Sequence, residues 1–196
     1  MRLCVFGDSF VNGTGDPERL GWLGRATAGA RGVTVYNLGV RGDTSADIRG
    51  RWRAEAGRRF VPHDEGRLVF AFGVNDCCDD DKGARRVARD ATLDNAAAIL
   101  SEASARWPVL MIGPPPIAEA AINARIEELD GALAAAAARL AVPYCDVFTP
   151  LLANEMWMAD VAAWDGAHPG ADGYAVLARL FTVWPAWRAW FPDNED

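Results

Sequence analysis

Only two histidines, His63 and His168, occur among the 196 residues, and their scarcity limits the chemistry before any motif is read. A binuclear metal site that draws on several imidazoles is excluded, and no Asp-x-His pair ends the first strand pattern, so a metallophosphoesterase is rejected. There is no cluster of Lys and Arg, and the formal net charge is −7. Nucleic acid and anionic membrane surfaces attract basic patches, so neither is expected as a partner. No apolar run approaches the roughly 20 residues of a membrane span; the alanine-rich stretch 131–142 is short and contains Arg139. Cysteine is sparse, with Cys4 and Cys145 inside apolar strand patterns, as buried small hydrophobes would be. The adjacent Cys77 and Cys78 lack zinc-site spacing, and neither a metal nor any cofactor is expected. The first strand pattern begins at residue 2 and leaves no room for a signal peptide, so a cytoplasmic location is expected.

What is present is a chain of 51% hydrophobic residues, enough for one domain over residues 1–196. Five short apolar runs recur, at 2–7, 33–39, 67–73, 108–113 and 144–148. The third and fourth are nearly continuous in apolar residues, as parallel strands covered on both faces require. Between the runs, 83–106 and 119–141 carry apolar residues three and four apart (Leu93, Ala96, Leu100, Ala103; Ile122, Ile126, Leu129, Leu133) and read as helices. Thr44-Ser45-Ala46-Asp47 has the form of a capping box. A last helix is expected from near Asp172, with Pro185 bending or ending it. Its Trp184, Trp187, Trp190 and Phe191 read as core and C-terminal docking, and a homo-oligomer interface is the other use open to them. Strands alternating with helices imply right-handed crossovers and a three-layer α/β/α sandwich.

Ligands of open parallel sheets bind beyond the carboxyl ends of the strands. Ser9 follows the first strand, Gly42 the second, Asn75 the third, and Asp165 and His168 follow the fifth, so all five residues fall on that edge. Serine is a poor nucleophile unless a base takes its proton and a third group orients the base. Ser9, His168 and Asp165 are candidates for those roles. His63, in the polar stretch 60–65, is expected at the surface. Taken singly, the rest have plain alternatives: Gly39 and Gly42 as turn glycines, Asn75 as a strand-end cap, Asp165 as a turn residue.

These residues also carry a resemblance. Gly7-Asp8-Ser9-Phe10, Asn37 to Thr44, Gly73-Val74-Asn75-Asp76 and Asp165-Gly166-Ala167-His168-Pro169 are similar, in content and order, to the blocks of the SGNH, or GDSL, hydrolase family. Phe10 departs from the leucine in the family's name, which bears on pocket shape and removes no functional group. The resemblance implies a flavodoxin-like five-stranded parallel sheet and serine esterase chemistry. Ser9 would be the nucleophile, Asp165 and His168 would complete the triad, and the Ser9 and Gly42 N–H groups with the Asn75 amide would form an oxyanion hole.

The expected activity is therefore hydrolysis of small soluble acyl esters, with a small-molecule ester as partner. Acyl transfer by the same triad and a non-catalytic flavodoxin-like binding protein are the alternatives. Connections after the first three strands are short, leaving residues 149–164, with Met156, Trp157, Met158 and Trp164, as the segment that would either cover the site or belong to the core. The runs Arg49, Arg51, Arg53 and Arg85, Arg86, Arg89, and the acidic stretch Asp76 to Asp81, read as solvated faces.

Overall fold

The computed structural model describes residues 1–62 and 65–191; His63 lies outside the described residues. In chain order the elements are β1 (Arg2–Gly7), α1 (Ser9–Asn12), α2 (Gly21–Ala26), β2 (Thr34–Gly39), α3 (Ser45–Arg59), β3 (Gly66–Ala71), α4 (Val74–Cys77), α5 (Arg89–Ser104), β4 (Val109–Ile112), α6 (Ala120–Arg139), β5 (Tyr144–Cys145), α7 (Phe148–Leu152), α8 (Glu155–Ala163), α9 (Ala171–Val183) and α10 (Pro185–Arg188). The five strands form one parallel sheet in the order β2-β1-β3-β4-β5. Leu3 to Phe6, Leu68 to Phe70 and Val109 to Ile112 are buried throughout, because helices cover both sheet faces and no strand residue there has a solvent side.

The helices divide into two layers. α3 packs on α5 and α5 on α6, whereas α2 packs on α9, which also meets α8 and α10. The reversal lies at β1: its two neighbours in the sheet, β2 and β3, are reached through crossovers of the two different layers. A crevice opens at such a switch point beyond the strand ends, and β1 and β3 lead into it.

Local signals set several helix boundaries. At Thr44 the hydroxyl accepts the Asp47 N–H while the Asp47 carboxylate accepts the Thr44 N–H, and Ile48, Trp52 and Ala56 form the buried stripe that follows. In α6 the expected Ile122, Ile126, Leu129 and Leu133 are buried. α9 stops at Val183, and Pro185 opens α10, where a missing N–H costs nothing. Trp22, Phe181, Trp187 and Phe191 pack ring on ring, with Trp22 and Phe181 centroids 4.4 Å apart, so the C-terminal segment docks into the core.

Some elements differ from the expected spans. The fifth strand ends at Cys145, because the Asp146 carboxylate accepts the Thr149 N–H and turns the chain into α7 before Phe148 can extend the strand. α5 begins at Arg89 and not at 83, since the preceding loop is folded on itself by the Asp79–Arg85 bridge and by Asp80, which accepts the Lys82 and Ala84 N–H groups. Residues 149–164 are mostly helical, and among the described residues no helix is long and apolar enough to cross a membrane.

Candidate active site

β1 stops at Gly7, and the chain turns at once into the single-turn helix α1. The Asp8 carboxylate caps it by accepting the Phe10 N–H at 2.9 Å, leaving Ser9 at the first helical position with its own N–H outside the helical ladder. This turn lies tightly against the end of β2. A Cβ at Gly39 would come within 2.2 Å of the Asn12 nitrogen and 2.7 Å of the Asp8 carbonyl oxygen, so only glycine fits there. Asn37 holds the turn from the other side, donating to the Val11 carbonyl at 2.7 Å.

His168 reaches Ser9 from the loop between α8 and α9. Asp165 Oδ1 accepts the Ala167 and His168 N–H groups at 3.0 and 2.8 Å, which folds the segment so that Oδ2 meets His168 Nδ1 at 2.7 Å. On the far side of the ring, Nε2 lies 2.7 Å from Ser9 Oγ. An acceptor-only carboxylate at Nδ1 places the proton there and leaves Nε2 free to accept from the hydroxyl. Burial tends to raise the Asp165 pKa, but the hydrogen bonds from the His168 backbone, its ring and Ala167 outweigh it and hold the carboxyl below its ordinary value. The Phe10 ring lies 5.1 Å from the imidazole and the Trp164 ring 5.9 Å. Phe10 is buried against Trp157 and backs the histidine, and it also lines a small, largely apolar cavity with Asp8, Trp22 and Phe72.

Asn75 and Gly42 stand at the same edge. The Asn75 amide nitrogen donates to the Asp43 carbonyl at 2.9 Å and lies 3.4 Å from Asp8 Oδ2, which brings it beside the Ser9 turn. Gly42 has φ +88°, a conformation that side chains disfavour, and among the described residues its N–H meets no protein acceptor. The chemical capacity is plain: a hydroxyl, an imidazole that can take its proton, a carboxylate that steadies the resulting cation, and N–H donors nearby. No group of three or more His, Cys, Asp or Glu that could hold a metal occurs among the described residues. Burial pushes the thiols of Cys4, Cys77 and Cys145 up to about 12, far from thiolate chemistry at neutral pH.

Several side chains that organise this edge were read in the sequence as solvated. Asp76 is 1% exposed and accepts the Ser45 N–H at 3.0 Å, the Ser45 hydroxyl and the Thr92 hydroxyl at 2.8 Å, tying α4 to α3 and α5. Arg51 donates to the Leu38 and Gly7 carbonyls at 2.8 and 3.1 Å and pairs with Asp43 at 2.6 Å, because strand ends leave carbonyls that need donors. Arg86 donates to Asn75 Oδ1 at 3.1 Å and to the Gly42 carbonyl at 2.8 Å. Arg53, paired with Glu102 at the surface, keeps the solvated reading. Of the aromatic and methionine residues in 149–164, Trp157 is core, Met158 is half-buried, and Met156 and Trp164 are exposed by 52% and 56%.

Residues 5–176 match the GDSL-like Lipase/Acylhydrolase family. The chain is similar to an acetylxylan esterase from Geobacillus stearothermophilus, with 18% identity and a TM-score of 0.74 over 96% of each chain. It is also similar to the lipase/acylhydrolase from Enterococcus faecalis, with 25% identity and a TM-score of 0.70 over 92% of this chain and 93% of that one. A lipolytic protein of the G-D-S-L family from Veillonella parvula is 21% identical, with a TM-score of 0.73 over 92% of this chain and 95% of that one. No curated protein sequence matches.

Proposed function

The chain belongs to the GDSL-like lipase/acylhydrolase family and is an ester hydrolase, and from that premise we propose that it cleaves acetyl or other short-chain acyl esters of small soluble alcohols through an acyl-enzyme on Ser9. The observation that carries this reading is the unbroken chain from Ser9 Oγ to His168 Nε2 and from Nδ1 to Asp165, each link 2.7 Å. Ser9 Oγ attacks the ester carbonyl carbon while His168 takes the hydroxyl proton. As the tetrahedral intermediate collapses, the C–O bond to the alcohol breaks and His168 returns the proton to the leaving oxygen. Water then repeats the sequence against acyl-Ser9, releasing the carboxylic acid. Negative charge on the former carbonyl oxygen is met by the N–H groups of Ser9 and Gly42 and by the Asn75 amide.

The alcohol side follows from the same chemistry. His168 must reach the leaving oxygen, so groups flanking the imidazole face the alcohol and not the acyl chain. Trp164, 56% exposed and 5.9 Å from that ring, offers a flat apolar surface suited to a sugar or another ring-bearing alcohol. The similarity to an acetylxylan esterase supports the same substrate class. A fluorophosphonate probe should label Ser9, and Ser9→Ala should abolish both labelling and turnover; labelling elsewhere with activity intact overturns the assignment. In a panel of p-nitrophenyl esters the rate should be highest for acetate and fall as the acyl chain lengthens. A maximum at long chains overturns the substrate reading while leaving Ser9 in place.

A further inference from the structure

We propose that Arg86 is a positioning residue for the oxyanion hole: its guanidinium bridges Asn75 Oδ1 and the Gly42 carbonyl and thereby fixes the direction in which both donor residues present their N–H groups. This rests on the oxyanion roles given to Asn75 and Gly42 above. A side-chain amide can sit either way round, and only its partners decide. Here Nη1 of Arg86, a donor with no acceptor capacity, faces Oδ1 at 3.1 Å, and the Asp43 carbonyl, an acceptor only, faces Nδ2 at 2.9 Å. Turning the amide over would set donor against donor and acceptor against acceptor. The orientation observed turns Nδ2 toward the Ser9 side, where its second hydrogen makes a long contact of 3.4 Å to Asp8 Oδ2 that a developing oxyanion would compete for.

The second arm of the fork acts on the other loop. Gly42 and Asn75 follow β2 and β3, which are held in register only through β1 between them, so beyond the strand ends direct links between the two loops fall to side chains, as in the hydrogen bond from Asn75 to the Asp43 carbonyl. Nη2 donates to the Gly42 carbonyl at 2.8 Å and joins the two. The bridge stands on a built support: the Arg86 N–H donates to the Cys78 carbonyl at 2.9 Å, and the intervening loop is closed by the Asp79–Arg85 bridge and by the Arg125–Asp79 ion pair. Arg86 is solvent-exposed, and Asp47 lies close enough to feel its charge. Its own field on the reacting oxygen is therefore screened, and the fork of two hydrogen bonds from separate nitrogens of one rigid plane, which an ammonium does not reproduce, is the larger effect.

The test is a double-mutant cycle on the intact enzyme with a neutral ester. Arg86→Ala should lower kcat roughly 10- to 100-fold, less than the 10²- to 10³-fold expected for Asn75→Ala, with KM changed by less than about threefold. Arg86→Lys should recover only part of the loss. In the Asn75→Ala background, Arg86→Ala should cost clearly less than it does alone, because one of the two groups it orients is gone and only the Gly42 contact remains to be lost. Melting temperatures of all four variants check that each is folded at the assay temperature. Full additivity in the double variant, a rise in KM with kcat held, or no effect of Arg86→Ala overturns the proposal. If Asn75→Ala itself leaves kcat unchanged, the oxyanion reading beneath it fails, and that outcome is separable from the rest.

Discussion

Asp76 follows Asn75 directly, yet the two neighbours have opposite surroundings, one at the open edge and one in the core. Its carboxylate gathers three donors, two from Ser45 at the start of α3 and one from Thr92 in α5. Burial raises its pKa, and those hydrogen bonds oppose the rise. An unmet buried donor costs about 1–3 kcal/mol, so Asp76→Ala should destabilise the protein by several kcal/mol, whereas Thr92→Val, which removes one donor and leaves the others served, should cost about 1 kcal/mol. Denaturant unfolding of the two variants measures the difference; equal and small losses would show that the network contributes little. At this scale legibility followed sequence separation. Asp165 and His168 lie three apart in one loop and could be matched by eye. The partners of Asp76 lie 31 and 16 residues away, and the Arg86 contact to Asn75 crosses 11 residues through a folded loop, so their side chains looked like ordinary solvated charges.

Among the elements, those whose signals are local were readable to within a residue or two: the run 2–7 is β1, and the capping box at Thr44 opens α3. The stretch 149–164 was not, because α8 is short and buries only Trp157 and Val161, too few positions for a helical period to stand out. α8 nevertheless has a structural task. Gly170 precedes α9 without a side chain to cap it, and Asp160 of α8 substitutes, its Oδ2 accepting the Gly170 and Gly173 N–H groups at 2.8 and 2.9 Å. This cap anchors the loop that carries His168. Asp160→Ala should cost about 1 kcal/mol, a melting-temperature drop of about 2–4 °C for a chain of this size, and should lower kcat as the His168 loop loosens. Asp160→Asn keeps an acceptor and should behave nearly as wild type. Calorimetry and ester turnover on the pair decide it, and identical losses for both variants would sink the capping role.

Over the whole molecule, the five strands were visible as apolar runs, and their order was not: no residue pattern states that β1 lies between β2 and β3, and the family resemblance supplied that expectation. The acids with shifted pKa were equally hidden, and they set how stability responds to pH. Asp16, Asp47 and Asp165 are held below their ordinary pKa, so the stability they contribute is present above about 4 and is lost as the solution is made more acid. Asp8 and Asp130 act with the opposite sign. Burial pushes Asp8 up to about 7, against the opposing hydrogen bond from Phe10, and pushes Asp130 up to about 6, against that from Tyr144. Below the ordinary value of 3.8 these two carboxyls are neutral whether the chain is folded or not, and nothing is lost. As pH rises above that value the unfolded chain ionises while the folded protein keeps both dried carboxyls protonated, so stability declines until pH has passed about 6 for Asp130 and about 7 for Asp8. The melting temperature should therefore be greatest near pH 4, fall as pH rises to about 7, and level off above it. Asp8→Asn isolates one contributor, because asparagine still caps α1 through its side-chain oxygen and cannot ionise. Thermal melts from pH 4 to 8 should show a shallower decline for this variant, the two proteins differing by at most about 4 kcal/mol in their change across that range. Parallel curves would mean that Asp8 ionises in the folded protein at no cost, and that its burial beside Ser9 does not govern the response to pH.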